Sequence, residues 1–144
     1  MAVNPEYHVL NAQNANLLHE SDVFDDDVIP EQLSAFVEDP NHELVFATVD
    51  AEPVGIASGM MLFHPDKEPA FFIAEVGVNE EWQRLGIASG LVSRLISLAR
   101  QKGSVGVWLA TELDNAEARG LYRKLDARET QDIVVYDWDG AMDD

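Results

Sequence analysis

Alternating and continuous runs of apolar residues predict five β-strands along the chain. They are Leu44–Val49, Val54–Leu62, Ala70–Val78, Val105–Ala110 and Ile133–Trp138. The first two flank the turn-forming segment Asp50–Pro53, which predicts a hairpin. The fourth run is almost continuously apolar and is therefore typical of a buried strand.

Apolar positions at helical spacing predict helices before and between these strands. The predicted helical segments are Asn11–Glu20, where the pattern is weak, Gln32–Glu38, Ile87–Arg100 and Asn115–Leu125. Pro30 suits the start of the second segment and Gly103 the end of the third, because proline favours the first helical turn and glycine the position beyond the last. Asp114 is predicted to cap the last helix.

The order of these elements predicts an α/β or mixed α+β fold. Strands 70–78 and 105–110 are joined through a helix, so we expect them to run parallel, as neighbours or near neighbours in one sheet. The 144 residues match the length of one domain and contain no repeat, low-complexity tract or linker-like stretch. We therefore expect residues 1–144 to form a single domain.

Charge is distributed very unevenly along this chain. The chain contains nine Lys and Arg residues and 27 Asp and Glu residues, so its net charge is −18. A charge of this sign disfavours nucleic acid or an anionic membrane as a partner. Residues 1–66 contain no Lys or Arg, whereas residues 84–128 hold most of the basic side chains. Two explanations stay open: an acidic surface adapted to a salty medium, or a cation-accepting half joined to an anion-binding half.

Several classes of site and location are excluded or disfavoured by composition. The absence of cysteine excludes disulfides, thiolate zinc sites and a cysteine nucleophile. The four histidines, His8, His19, His42 and His64, lack metal-ligand spacing, so we expect no metal. No apolar run reaches the roughly 18–20 residues of a membrane span, and no Lys or Arg precedes Lys67 as in a signal peptide. A cytoplasmic protein is the expectation.

The stretch from Glu75 to the start of the long predicted helix has the form of an anion-binding site. A strand ends at Val78, a short loop follows, and the helix begins next to Gly86. The N-terminus of a helix offers free backbone N–H groups and the positive end of its dipole, which together bind phosphate. The loop lacks the Gly-Lys-Ser/Thr of a nucleoside-triphosphatase and the three glycines of a dinucleotide-binding fold.

The residues Gln83-x-x-Gly86-x-Ala88 resemble the acetyl-CoA signature of the GNAT N-acetyltransferase superfamily, Gln/Arg-x-x-Gly-x-Gly/Ala. The resemblance covers roughly residues 44–138. It continues downstream at the spacing of that family, through Trp108–Glu112, Asp114–Asn115, Ala118 and Leu121–Leu125. The sequence departs from the usual pattern at Asp126, where a glycine is common; Asp accepts a left-handed backbone better than most residues.

The resemblance implies a mixed central sheet flanked by helices and acetyl-CoA as co-substrate, with direct transfer to an amine in a ternary complex. Tyr122 would be the general acid for the leaving thiolate. The strand residues Val76, Gly77 and Val78 would pair with the pantetheine amides, as would the side chain of Asn115. The pyrophosphate would lie in a loop that begins at Gln83, against the N–H groups of Arg84, Leu85, Gly86, Ile87, Ala88 and Ser89.

An alkylammonium group must lose a proton before it can attack a thioester, so the reaction needs a base. Glu75 is the favoured candidate, acting directly or through a water, and Glu112 is the alternative. On the acceptor side, the loop residues Asp25, Asp26 and Asp27 form an acidic run that would attract a cationic amine.

The acceptor itself is left open by the sequence. The acidic N-terminal half and the ending Val134–Asp139 show a looser resemblance to the aminoglycoside 3-N-acetyltransferase branch. A polyamine, an amino acid or a protein amine is the alternative acceptor, and a non-catalytic acyl-CoA-binding sensor is the alternative function. Pairing of the last predicted strand with its counterpart in a second copy would give a homodimer.

Overall fold

A computed structural model describes residues 3–143 of the chain. The chain divides into two compact units, the first extending to Ala110 and the second beginning at Thr111. Each unit is described by itself. That residues 1–144 form one domain stays a prediction.

The first unit contains the β-sheet and most of the helices. Its elements are β1 (Glu6–Val9), α1 (Asn16–His19), α2 (Pro30–Glu38), β2 (His42–Val49), β3 (Glu52–Leu62), β4 (Ala70–Val78), a 3₁₀ turn (Glu80–Trp82), α3 (Ile87–Gln101) and β5 (Gly106–Trp108). The second unit contains α4 (Ala116–Lys124). The elements thus form a mixed sheet flanked by helices, which confirms the expected fold class.

The sheet has the strand order β1-β2-β3-β4-β5 in the part of the chain described. Neighbouring strands are antiparallel from β1 to β4, and β4 and β5 run parallel. The predicted hairpin and the predicted parallel pair are therefore both confirmed. The pairing of β2 with β3 shifts register between Ala47 and Thr48, and the pairing of β3 with β4 shifts between Ser58 and Gly59. Each shift marks a β-bulge.

Strand β1 is an element that the pattern analysis missed. Its four residues include only Tyr7 and Val9 as large hydrophobic side chains, too short a run to predict a strand. It forms because it pairs with β2, where the His8 ring stacks on Phe46 at 4.9 Å and its Nε2 contacts Thr48 Oγ1 at 2.9 Å.

The two faces of the sheet are covered by different helices. Helix α3 packs on one face through Leu91, Leu95 and Ala99, which are fully buried at the helical spacing that the sequence shows. The other face carries a cluster built from α1, the following loop, α2 and the sheet; it contains Leu18, Val23, Leu33, Leu44, Phe46 and Ile56. This second face positions the candidate site.

Two predicted features of the C-terminal part are wrong. No strand forms at Ile133–Trp138, because the described backbone there pairs with no neighbouring strand; its side chains are exposed, Trp138 by 76%. An apolar alternation becomes a strand only where a partner edge satisfies its hydrogen bonds. The cap of α4 is Asn115 and not Asp114.

Near the start of the chain, the first predicted helix is shorter than expected and spans Asn16–His19. Among the described residues, no helix is long and apolar enough to cross a membrane.

Candidate active site

A cavity of about 290 Å³ opens on the sheet face that α2 covers. Its walls come from residues 21–29, called here the acidic loop, from α2 and from three adjacent strands. The lining residues are Phe24, Asp25, Asp26, Asp27, Val28, Ile29, Gln32, Leu33, Phe36, Leu44, Ser58 and Glu75. Half of these residues are aromatic or aliphatic, and the charged groups are all carboxylates.

The floor of the cavity is a row of three side chains across the sheet. Leu44 on β2 is the register partner of Ser58 on β3, which is the partner of Glu75 on β4. Immediately beyond Ser58 the pairing skips from Glu75 to Ile73, so β4 carries a bulge beside Glu75. Bulges redirect side chains next to functional sites, and here the side chain concerned is a carboxylate in a cavity.

The acidic loop is attached to the end of β4. Asn79 follows β4 directly, and its side-chain amide donates a 2.8 Å hydrogen bond to the Asp22 carboxylate. Pro30 then begins α2 two residues after Val28, which holds the intervening loop over the cavity. The carboxylates of Asp25, Asp26 and Asp27 form no salt bridge with the described residues and are exposed.

Glu75 has the electrostatic environment of a proton acceptor. Its side chain reaches solvent, yet partial burial raises the pKa of its carboxyl group, and the nearby negative charge of Asp25 raises it further. A raised pKa makes a carboxylate a stronger base. The structure thus brings together Glu75 and the Asp25–Asp27 run, which the sequence had singled out separately.

The predicted phosphate loop lies between β4 and α3. The Gln83 side-chain amide donates to the Val78 carbonyl at 2.9 Å, which fixes the start of the loop on the end of β4. Arg84 and Gly86 have left-handed backbones, with φ of 63° and 83°. Space around Gly86 is open, since nothing lies within 4 Å of where a Cβ would be.

Helix α3 starts at Ile87, so the N–H groups of its first turn have no carbonyl partner within the helix. These donors, together with the helix dipole and the open space at Gly86, form a cradle that fits a phosphate group. Arg84 and Arg100 are exposed, and Arg94 is stacked over the Tyr7 ring at 3.7 Å, where it supports α3.

The edge of β4 next to this loop is free of β5. Pairing between the two strands runs only from Ala70 to Phe72 on β4 and from Gly106 to Trp108 on β5. Val76, Gly77 and Val78 pair with β3 on their other side, as partners of Ala57, Ile56 and Gly55. Within the described part of the first unit, no strand pairs with the backbone groups on the side away from β3, and such an edge suits an extended ligand with amide groups.

The second unit holds the other predicted site residues. The Asn115 Oδ1 atom accepts a 3.1 Å hydrogen bond from the Ala118 N–H, so this oxygen is used as the helix cap and the side-chain NH₂ remains as a donor. Tyr122 is half-buried on α4, and burial raises the pKa of its hydroxyl group. Glu112 lies in an exposed segment before the helix.

Glu129 is a residue of this unit that the sequence analysis missed. Its carboxylate accepts hydrogen bonds from Arg119 at 2.9 and 3.1 Å and from Arg123 at 3.2 Å. Hydrogen bonds from Arg119, Gln131 and Arg123 lower the pKa of Glu129 to about 2. Two of the basic side chains of residues 84–128 are therefore engaged with a carboxylate of this chain.

The lining of the cavity is the larger omission of the sequence analysis. Ser58 lies within an apolar strand, and Gln32 and Phe36 lie on an ordinary amphipathic helix, so their residue types did not mark them as site residues. The spacing of Gln32 and Phe36 gives a partial signal of a shared surface. The two residues lie one helical turn apart, on the side of α2 where Leu33 is buried.

A family model described as "Acetyltransferase (GNAT) family" matches residues 2–127. No curated protein matches the chain.

Three solved structures illustrate the similarity of the fold. An aminoglycoside acetyltransferase from an uncultured soil metagenomic sample, in complex with sisomicin, has a TM-score of 0.80 at 18% identity over 93% of this chain and 95% of its own. AAC(6')-Iy, in complex with the bisubstrate analogue CoA-S-monomethyl-acetylneamine, has a TM-score of 0.79 at 14% identity over 94% and 98%. A ribosomal-protein-alanine N-acetyltransferase from Brucella melitensis biovar Abortus 2308 has a TM-score of 0.72 at 18% identity over 94% and 99%.

At these identities the likeness shows a shared fold. The named aminoglycoside neighbour AAC(6')-Iy is a 6' enzyme, whereas the looser sequence resemblance was to the 3-N branch.

Proposed function

Because the chain belongs to the GNAT acetyltransferase family, we propose that it transfers an acetyl group from acetyl-CoA to a primary amine of a small cationic molecule. The observation that carries the proposal is the cavity in which Glu75 lies beside Asp25, Asp26 and Asp27. Four carboxylates and no basic side chain line this cavity, so it attracts a positively charged acceptor.

Glu75 is proposed as the general base. An alkylammonium group has a pKa near 10 and must lose a proton before its nitrogen can attack. Glu75 accepts that proton directly or through one water, and its raised pKa, due to burial and to Asp25, strengthens it for this task. Glu112 is the alternative base; it lies in the second unit, in an exposed segment.

Acetyl-CoA is proposed to bind along β4 and the loop that follows it. Bound there, it supplies the activated acetyl group. The free edge of Val76–Val78 pairs with its pantetheine amides, and the N–H groups from Arg84 to Ser89 hold its pyrophosphate. The Asn115 side-chain NH₂, left over from capping, donates to the pantetheine arm.

Tyr122 is proposed as the general acid. Burial raises the pKa of its hydroxyl group, so the group stays protonated at neutral pH and is available to donate its proton to the leaving thiolate. Direct transfer in a ternary complex is proposed, which fits the absence of cysteine from these 144 residues.

An aminoglycoside is the first acceptor to test. Two of the structural neighbours are aminoglycoside acetyltransferases, and the several ammonium groups of such a molecule complement several carboxylates around one cavity. A protein amine is the second candidate, since another neighbour is named for acetylating a ribosomal protein.

The test is release of the CoA thiol from acetyl-CoA, measured with a thiol reagent. Because the protein has no cysteine, the signal comes only from the product. The panel contains sisomicin, spermidine, free amino acids and a peptide with an N-terminal alanine, and Glu75→Gln is the control. We expect saturable release with a cationic small amine that Glu75→Gln abolishes. Release with the peptide alone would overturn the small-molecule acceptor, and no release with any amine would overturn the proposed function.

A further inference from the structure

One buried polar side chain of the sheet lacks a hydrogen bond. The buried polar residues include Glu43, which pairs with Lys102, Thr48, which contacts His8, and Ser104, whose hydroxyl donates to the Gly106 carbonyl. Ser58 is 3% exposed, and its hydroxyl bonds to no other group of residues 3–143. It is also the one of these four residues that lines the cavity.

The position of Ser58 is otherwise an apolar one. On β3 it shares a face with Ile56, and its cross-strand neighbour Leu44 belongs to the apolar cluster of that face. Its Oγ atom is not fully enclosed, since among residues 3–143 only His42 Nδ1 is a fully enclosed side-chain atom without a hydrogen-bond partner. The Ser58 hydroxyl is therefore open to the cavity that it lines, where a water or a ligand group supplies its hydrogen bond.

We propose that Ser58 binds the acceptor nitrogen, its Oγ accepting a hydrogen bond from the same ammonium group that Glu75 deprotonates. Ser58 and Glu75 are register partners on neighbouring strands, and such partners have Cβ atoms about 5 Å apart. One nitrogen can bridge two side chains at that separation. This inference rests on the proposed function and adds a residue to it.

The chemistry of the step gives Ser58 a defined role. A primary ammonium group has three N–H bonds. One of them breaks as its proton passes to the Glu75 carboxylate, and its electron pair stays on nitrogen as the attacking lone pair. A second N–H keeps its hydrogen bond to Ser58 Oγ, so the neutral amine stays in place after Glu75 has become neutral as well.

Ser58→Ala tests the proposal. We expect the KM for the amine to rise about tenfold, the typical effect of removing a hydrogen bond to a charged group, while the KM for acetyl-CoA stays unchanged. Thermal stability should stay equal or rise, because the hydroxyl that is removed has no partner within the folded protein. A purely structural role would predict the reverse: lower stability with an unchanged KM.

Ser104→Ala is the matched control. It removes a hydroxyl of similar burial whose hydrogen bond is already made inside the protein and which does not line the cavity. We expect lower thermal stability and an unchanged KM for the amine.

The readouts separate the two proposals. If the wild-type protein turns over an amine and Ser58→Ala has the same amine KM, the role of Ser58 is overturned and the proposed function stands. If no amine is turned over but calorimetry detects sisomicin binding, the role of Ser58 is decided by whether Ser58→Ala weakens that binding. If sisomicin neither binds nor reacts and no other amine reacts, both proposals fall.

Discussion

The Asp25 carboxylate raises the pKa of Glu75, although the two residues belong to different elements of the first unit. Both line the same cavity, Asp25 from the acidic loop and Glu75 from the bulged part of β4. In the proposed reaction, the residue that attracts the cationic acceptor therefore also adjusts the base that deprotonates it. The proposed function thus gives the acidic loop an effect on chemistry as well as on binding.

The first prediction concerns the acid side of the pH profile. In Asp25→Asn, loss of the negative charge lets the pKa of Glu75 fall, so the acid limb of kcat/KM should move to lower pH. Asp26→Asn is the matched control. Asp26 lines the same cavity, but the charge that raises the pKa of Glu75 is that of Asp25, so the acid limb of the Asp26→Asn profile should not move. Equal shifts in the two variants would contradict the specific effect of Asp25.

The second prediction sets activity against stability at Glu75. Glu75→Gln removes the base and should lower kcat by about 10²–10⁴-fold. The raised pKa means that the folded protein holds this proton more tightly than the unfolded chain. The stability linked to Glu75 is thus complete below the unfolded pKa and is lost as pH rises through the folded pKa.

At neutral pH the charged Glu75 therefore destabilises the fold, and Glu75→Gln should raise Tm relative to wild type. That difference should vanish as pH falls toward 4. Thermal melts of both proteins across this range measure it, and a lower Tm for the variant at pH 7 would show that the carboxylate is stabilising.

Much of the scaffold could be predicted because hydrophobic periodicity determines it. Strand β4 has the predicted bounds, and α3 buries the predicted apolar positions, since both elements are long and pack against the sheet. The predictions were wrong for one shared reason at strand β1, which was missed, and at Ile133–Trp138, where no strand forms. Whether a short segment pairs depends on a partner edge elsewhere in the chain, which local pattern does not contain.

The residues of the candidate site also divide into those that the sequence identified and those that only the structure shows. Glu75 and the Asp25–Asp27 run carry charge, so composition and resemblance identified them, and the fold showed that they share a cavity. Ser58 could not be found by sequence, because a serine in an apolar strand is ordinary. It is distinguished by the absence of a hydrogen bond among the described residues, which only three-dimensional contacts reveal.

The third prediction tests the phosphate loop at Gly86. Gly86→Ala places a side chain on a left-handed backbone of φ 83°, which costs about 1–2 kcal/mol, so the loop should rearrange and acetyl-CoA affinity should fall about tenfold. Gly103→Ala is matched to it, with φ 104° and open space at the other end of α3. The Gly103→Ala variant should lose stability but keep its affinity for acetyl-CoA. Calorimetry with acetyl-CoA distinguishes them, and equal affinities would contradict a loop that holds the pyrophosphate.

The fourth prediction concerns the general acid. Tyr122→Phe should lower kcat by about 10²–10⁴-fold and leave the Kd for acetyl-CoA unchanged, because only the hydroxyl group is removed. Since burial raises the pKa of this hydroxyl, the alkaline limb of the wild-type profile should lie above the usual tyrosine value of about 10. An unchanged rate in the variant would remove Tyr122 from the mechanism.

The last prediction separates the two explanations of the net charge of −18. If the loop carboxylates attract a cationic acceptor, kcat/KM for that acceptor should fall as salt rises, because the screening length shortens to about 8 Å at physiological ionic strength. In the triple variant Asp25→Asn, Asp26→Asn, Asp27→Asn, the rate at low salt should fall and most of its salt dependence should disappear. The KM for acetyl-CoA, which binds elsewhere in the proposal, is the internal control. A salt dependence that persists in the variant would assign the attraction to the acidic surface as a whole, and a rate that rises with salt would favour adaptation to a salty medium.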